Sequence, residues 1–315
     1  MCHNMGNVIM KIKLIYYFFV VNFSNITLFS QFGGGSGTET DPYQIWNKND
    51  LMKLFDSTYY SSSGLIGKHF KLMTDIDNVT HPIADRFYGH FHGNYKKLTI
   101  NLAGAIFYVL SGTIDNLIVD GYATAAGIVG GTYGNGVSIS HCINNVIVTS
   151  TSEYGGGGIS PNNNGITISN CINNGDITGV DRIGGIAGEN GGQIINCINT
   201  GKITATASGD NSIFSGVGGI CGTIANSSYY GISNCVNTGT VVGQGFVGGI
   251  IGLANGNPIA PSPITNCVNY GYIKGTNAVG GILGYMYNQN VNISNCVNAG
   301  VVEGKSDVGS ITGKE

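Results

Sequence analysis

His69, His81, His90 and His92 stand close together in the chain, and His90 and His92 fall on one face if their segment is extended. That is the spacing a metal site would use, although a hairpin with polar faces accounts for the same residues. Asp75, Asp77 and Asn78 begin like a calcium loop, but no Gly follows at the sixth position and Arg86 stands where the closing Glu belongs. Six cysteines, Cys142, Cys171, Cys197, Cys235, Cys267 and Cys296, recur in one phase and raise the question of disulfides or metal. A polysaccharide hydrolase or lyase would need two acids converging within about 5 to 10 Å. Glu153, Asp176, Asp181, Glu189, Asp210, Glu303 and Asp307 instead fall in scattered columns. Some of them meet opposite charges: Asp176 shares a column with Lys202, and Lys274 with Glu303. Double-Gly words such as VGGIIG look like phosphate loops, but no Lys-Ser or Lys-Thr pair follows them. The expectation is therefore no catalytic residue, no metal and no cofactor.

The elements that hold these residues are repeats. NCINNGDITG at Asn170 returns as NCINTGKITA at Asn196, NCVNTGTVVG at Asn234, NCVNYGYIKG at Asn266 and NCVNAGVVEG at Asn295, with a looser copy at His141. A double-Gly word follows each copy. From Cys to the second position of that Gly pair the step is 14 residues in four copies, 16 in one and 22 in one. The return to the next Cys varies from 12 to 18, so one arc is scaffold and the other is decorated. A period near thirty with two short apolar words fits neither helical repeats nor propeller blades. It fits a parallel β-helix, an all-β solenoid of about seven coils over residues 95–313 in which each strand pairs with its equivalent one turn on.

Stacking turns the columns into physical requirements. The residue before each Cys, or before Leu117 in the earliest copy, is Asn116, His141, Asn170, Asn196, Asn234, Asn266 or Asn295. A tight bend there needs left-handed backbone, which Asn and His tolerate better than most residues, and stacked amides can bond from coil to coil. In-register stacking spaces the Cys Cβ atoms at about 4.8 Å, wider than a disulfide prefers. Leu117 holds the Cys position in the earliest copy and ligates nothing, so the six thiols are expected as an inward ladder of small hydrophobes.

Charged residues make up only 10% of the chain and glycines number 52, a composition a solenoid explains and a globular enzyme does not. MKIKLIYYFFVV from Met10, with Ser30 as a small residue for cleavage, reads as a secretory signal over residues 1–30, and a start at Met10 would lose nothing of it. Its apolar run is too short to span a membrane. Without that segment 12 Lys and Arg face 17 Asp and Glu, a net charge of −5 that argues against nucleic acid. Residues 31–94 read as a small N-terminal α/β cap, with a strand near Tyr43, a helix from Asn49 and an alternating strand from His69.

The runs GSGTETDPYQIWNKNDLMKLF, GKHFKLMTDID and FYGHFHGNYKKLTINL, followed by the VGGIIG-type repeats over residues 95–315, together resemble bacterial surface proteins that carry the GLUG motif. His92 departs from that pattern, standing where the family usually has Asp in a Gly-rich turn. The resemblance implies an exported, non-catalytic, adhesin-like β-solenoid, secreted or at the cell surface, that contacts a protein or glycan of a host or neighbouring cell. A β-helix polysaccharide hydrolase or lyase is the alternative. The variable arc carries Tyr133, Tyr229, Tyr230, Tyr285 and Tyr287. These are the expected ligand-binding residues on one flank, because a tyrosine ring offers sugars or proteins a flat apolar face with a hydroxyl. The same rings could equally cover the loops they sit on.

Overall fold

The computed structural model describes residues 32–54, 65–134, 136–151, 155–206, 216–224, 231–255, 262–287 and 291–315. They form a parallel β-helix. One wall is a ten-stranded sheet in which Tyr43–Ile45, His69–Leu72, His90–His92 and Thr113–Asp115 are followed, coil by coil, by Ser138–Ser140, Thr167–Ser169, Gln193–Ile195, Ile232–Ser233, Ser262–Thr265 and Val291–Ser294. A second wall of 14 strands carries the segments after each Cys, and the double-Gly words run through two six-stranded sheets. Seven rungs of the first wall lie from Thr113 onward, in the range where the repeats are regular. Three more precede them, because Tyr43–Ile45, His69–Leu72 and His90–His92 pair in parallel with one another and with Thr113–Asp115. His90 and His92 are therefore not on a hairpin, and the first coils lie inside the stretch expected as a cap. They lack the Cys phase, so a period search does not see them.

The helix of that stretch is short, Lys48–Met52, and its N-terminal end is fixed locally. Asn47 Oδ1 accepts from the Asp50 amide at 3.0 Å, and Asp50 Oδ2 accepts from the Trp46 amide at 3.1 Å, a reciprocal cap. Leu51 is fully buried and joins the same core as the first strands. Among the described residues no helix is long and apolar enough to cross a membrane.

The bend column is left-handed throughout: Asn116, His141, Asn170, Asn196, Asn234, Asn266 and Asn295 have φ between 52° and 55°. Cys142, Cys171, Cys197, Cys235 and Cys267 are fully buried beside Leu117, Cys296 is half-buried, and all six are free thiols. Each donates to the carbonyl two residues before it, as Cys235 Sγ does to Ser233 O at 3.2 Å. Burial pushes the Cys171 and Cys235 thiols above their ordinary range.

The strongest polar column is a different one, two residues after Cys. Asn144, Asn173, Asn199, Asn237 and Asn269 are fully buried, and each Nδ2 donates to the Oδ1 of the next coil's Asn at 2.7 to 2.8 Å, the last to Asn298. From Asn173 onward the same amides also reach the corner glycines, Asn237 Nδ2 donating to Gly239 O at 2.9 Å. This ladder explains the second glycine of the double-Gly word. A Cβ at Gly185 would lie 2.4 Å from Asn199 Oδ1, so the wall can close over the amides only where that side chain is missing. Surface charge is arranged less regularly. Lys274 and Glu303 form an exposed ion pair at 3.1 Å, but Asp176 accepts from the Lys202 backbone amide at 2.9 Å rather than meeting its ammonium.

Candidate functional site

Of the five expected binding tyrosines, Tyr229 and Tyr230 lie outside the described residues. Tyr133 is 61% exposed and Tyr287 41%, whereas Tyr285 is half-buried, its ring 4.7 Å from Phe246 and 6.1 Å from Tyr287, with Lys314 Nζ 5.5 Å from its centroid. Tyr133 precedes Cys142, while Tyr285 and Tyr287 precede Cys296, five repeats later. At about 4.8 Å per coil they are some 24 Å apart along the axis, so they make two patches rather than one.

Around Tyr133 the fold gathers residues the repeat pattern does not single out. Ala84–Phe87 pairs in parallel with Phe107–Leu110, and Leu110 bridges Thr132, so Tyr88 and Tyr133 occupy one column two coils apart, with Ser111 on the coil between. Arg86 ties them together: its guanidinium lies 5.3 Å from the Tyr133 ring centroid, and Nη1 donates to the Tyr88 hydroxyl at 3.3 Å. Tyr108, 43% exposed, belongs to the intervening strand. The signal was present as FYGH, IFYVLSG and GTYG, three aligned words in coils without the Cys phase.

The histidines form a second polar arrangement. In parallel register His69 pairs with His90, and Lys71 with His92. The rings of His69 and His90 stack at 4.3 Å, and those of His69 and His92 at 5.3 Å. Asp115, one coil further, lies 2.7 Å from His92 Nδ1. A carboxylate only accepts, so His92 Nδ1–H donates to Asp115, and on the other side of the ring His92 Nε2 lies 3.0 Å from His69 Nδ1. His90 Nδ1 is 2.9 Å from the Thr113 hydroxyl, and exposed His81 stands apart, bonded to Thr80. Burial raises the Asp115 pKa, but the His92 hydrogen bond and charge, Asn116 and His141 outweigh it and hold the carboxyl below its ordinary range. His69 is lowered by burial and by the neighbouring His90 and His92, against a weaker pull from Glu39 and Asp115. Among the described residues no three His, Cys, Asp or Glu converge as a metal site does. Beside His92 opens a pocket of about 310 Å³, lined by Glu39, Lys71, Tyr95 and Asp115 among others. Two carboxylates thus line one pocket with an imidazole and an ammonium, and neither belongs to the acids counted in the repeats.

No family model and no curated protein matches the chain. A solved structure does: a "putative immunoglobulin A1 protease" from Bacteroides ovatus, with a TM-score of 0.54 and 20% sequence identity over 89% of this chain and 87% of that one. The likeness is one of fold, and it defines the class as a parallel β-helix. It also corrects the expectation of a chain that is not an enzyme. That expectation took a coiled scaffold to serve contact alone, and a protein of the same fold is named for an enzymatic activity.

Proposed function

We propose that this chain is an exported, adhesin-like β-helix that meets a protein or glycan of a host or neighbouring cell through side chains on one flank. The observation that carries the reading is the exposed surface that Tyr88, Arg86 and Tyr133 form across three coils, with Tyr108 on the coil between. Such rings give flat contact area at small entropic cost, and stacking by Arg86 holds Tyr133 in place before any partner arrives. The signal-like residues 1–30, the likeness to GLUG-motif surface proteins and the acidic net charge support export and a partner other than nucleic acid. The test is binding of the chain to a glycan array and to cultured cells, with Tyr88→Ser/Tyr133→Ser beside the parent. Two aromatic contacts of about 1 kcal/mol each predict a loss of tenfold or more with the melting temperature unchanged. Equal binding by the double variant on every surface would refute the reading.

A second reading has its own observation, the pocket shared by Glu39, His92 and Asp115. An acid, a base and a bound imidazole are the equipment of general acid–base cleavage. This reading retains the polysaccharide hydrolase or lyase, and the name of the structural neighbour adds peptide bonds to the test. Polysaccharides and immunoglobulin A1 incubated with the parent should yield fragments that Asp115→Asn does not produce; intact substrates throughout would end this reading.

A further inference from the structure

The flank read above as a contact surface contains a groove whose lining defines a ligand class. It spans three coils and encloses about 330 Å³, within the range of about 300 to 1,000 Å³ of ligand pockets. Its origin lies in the ladder rule of the fold. Phe107 bridges Val129 and Leu110 bridges Thr132, so the two residues between, Tyr108 and Val109, stack on Gly130 and Gly131. The next coil brings Pro161 and Asn162 alongside. A side-chain column that continues on the neighbouring coils is interrupted in the middle one, leaving a trough floored by glycine backbone. Tyr108 stands along one bank and Asn162 and Asn164 along the other. The far bank's backbone is fixed: the Asn164 backbone N–H donates to the Thr132 hydroxyl at 2.9 Å, and between Asn162 and Asn164 the Asn163 Nδ2 donates to Asn190 Oδ1 at 2.7 Å.

We propose that this groove binds an uncharged oligosaccharide, with one sugar ring against the Tyr108 face and its hydroxyl groups on the Asn162 and Asn164 amides. Among the described residues no charged side chain lines the groove, so an anionic or cationic ligand would give up hydration there without a counter-charge from them. An exposed aromatic face suits the C–H side of a pyranose. Side-chain amides supply both a donor and an acceptor, as neighbouring hydroxyls require. The proposal rests on the contact reading of this flank and adds the ligand to it.

Gly131 gives the decisive variant. A Cβ there would find its nearest neighbour, the Tyr108 carbonyl oxygen, at 3.9 Å, and φ is not left-handed, so Gly131→Leu fills the trough without straining the coil. Neutral and charged glycans on an array, followed by saturation-transfer NMR with the neutral ones that bind, are the probes. The parent should bind neutral glycans, Gly131→Leu and Tyr108→Ala should bind at least tenfold more weakly, Tyr108→Phe should stay within about threefold of the parent, and melting temperatures should coincide. Binding confined to charged glycans, no glycan binding, or full binding by Gly131→Leu overturns the groove. If the groove variants keep cell binding while Tyr88→Ser/Tyr133→Ser loses it, the groove fails and the contact reading stands. If all variants bind cells as the parent does, both fail.

Discussion

Within one repeat, Asn234, Cys235 and Asn237 meet three different physical demands, and their substitutions should separate accordingly. Asn234 bears a left-handed backbone at φ 55°, and Asn234→Leu should cost about 1 to 2 kcal/mol, the penalty of that conformation for an ordinary side chain. Cys235 is a small buried hydrophobe whose column accepts Leu117, so Cys235→Val should cost under about 1.5 kcal/mol. Asn237 is the costly one. Its amide accepts from Asn199 and donates to Asn269 and to Gly239, so Asn237→Leu strands buried polar groups on both neighbouring coils. Each stranded group costs about 1 to 3 kcal/mol, giving a loss of about 3 kcal/mol or more. Urea unfolding of the three variants should give this order, and a smaller loss for Asn237→Leu than for Asn234→Leu would contradict the ladder. In the same preparations the five fully buried thiols, Cys142 through Cys267 of the ladder, should alkylate only after unfolding, with half-buried Cys296 reacting first; mass spectrometry finding stoichiometric disulfides would contradict that.

At the scale of the element, the first coils carry a titrating stack that the later coils lack. An unfolded histidine takes up a proton near pH 6.5, while His69 in the fold resists it through burial and the nearby His90 and His92. As pH falls through that value the unfolded chain binds more protons than the native one, so stability falls on acidification. Asp115 acts lower. Its folded pKa lies below the ordinary value, so the stability it contributes is present above that value and lost as pH falls toward the folded pKa. Thermal unfolding should therefore show a drop in melting temperature between pH 7.5 and pH 5.5 that His69→Asn reduces, and a further drop at more acidic pH that Asp115→Asn reduces. A parent and a His69→Asn variant with identical pH profiles would mean that the stack is not linked to stability.

For the whole molecule, a solenoid distributes stability along its axis, since each coil is supported only by its neighbours. The columns that are buried through Cys267 open in the final coil, where Val297 is 53% exposed and Val301 66%. Amides of Val302 and Glu303 should therefore exchange with solvent well before those of Val241 and Val242, the equivalent strand two coils earlier. Uniform exchange along the axis would show a single cooperative unit instead.

The sequence by itself determined the architecture of the regular coils. A ladder forces equivalent positions to face the same neighbours, so Asn or His at the bend, Cys or Leu inside and Gly at the corners recur with a fixed phase that is visible without coordinates. It also displayed the Asn two after Cys and the second Gly of each pair. That these are one device, an amide column and the gap that admits it, depends on a contact between different coils, which spacing along the chain does not express. Only the tertiary structure decided where chemistry gathers. Parallel register between strands 21 to 23 residues apart placed Lys71, His92 and Asp115 on one line, His69 diagonally against His92 and Glu39 beside the same pocket. It also set Tyr108 across Gly130 and Gly131 from Asn162. These sites lie in coils whose residue types have drifted from the repeat. There the backbone still stacks while the side chains differ from coil to coil, so the period that reveals the scaffold carries no information about them.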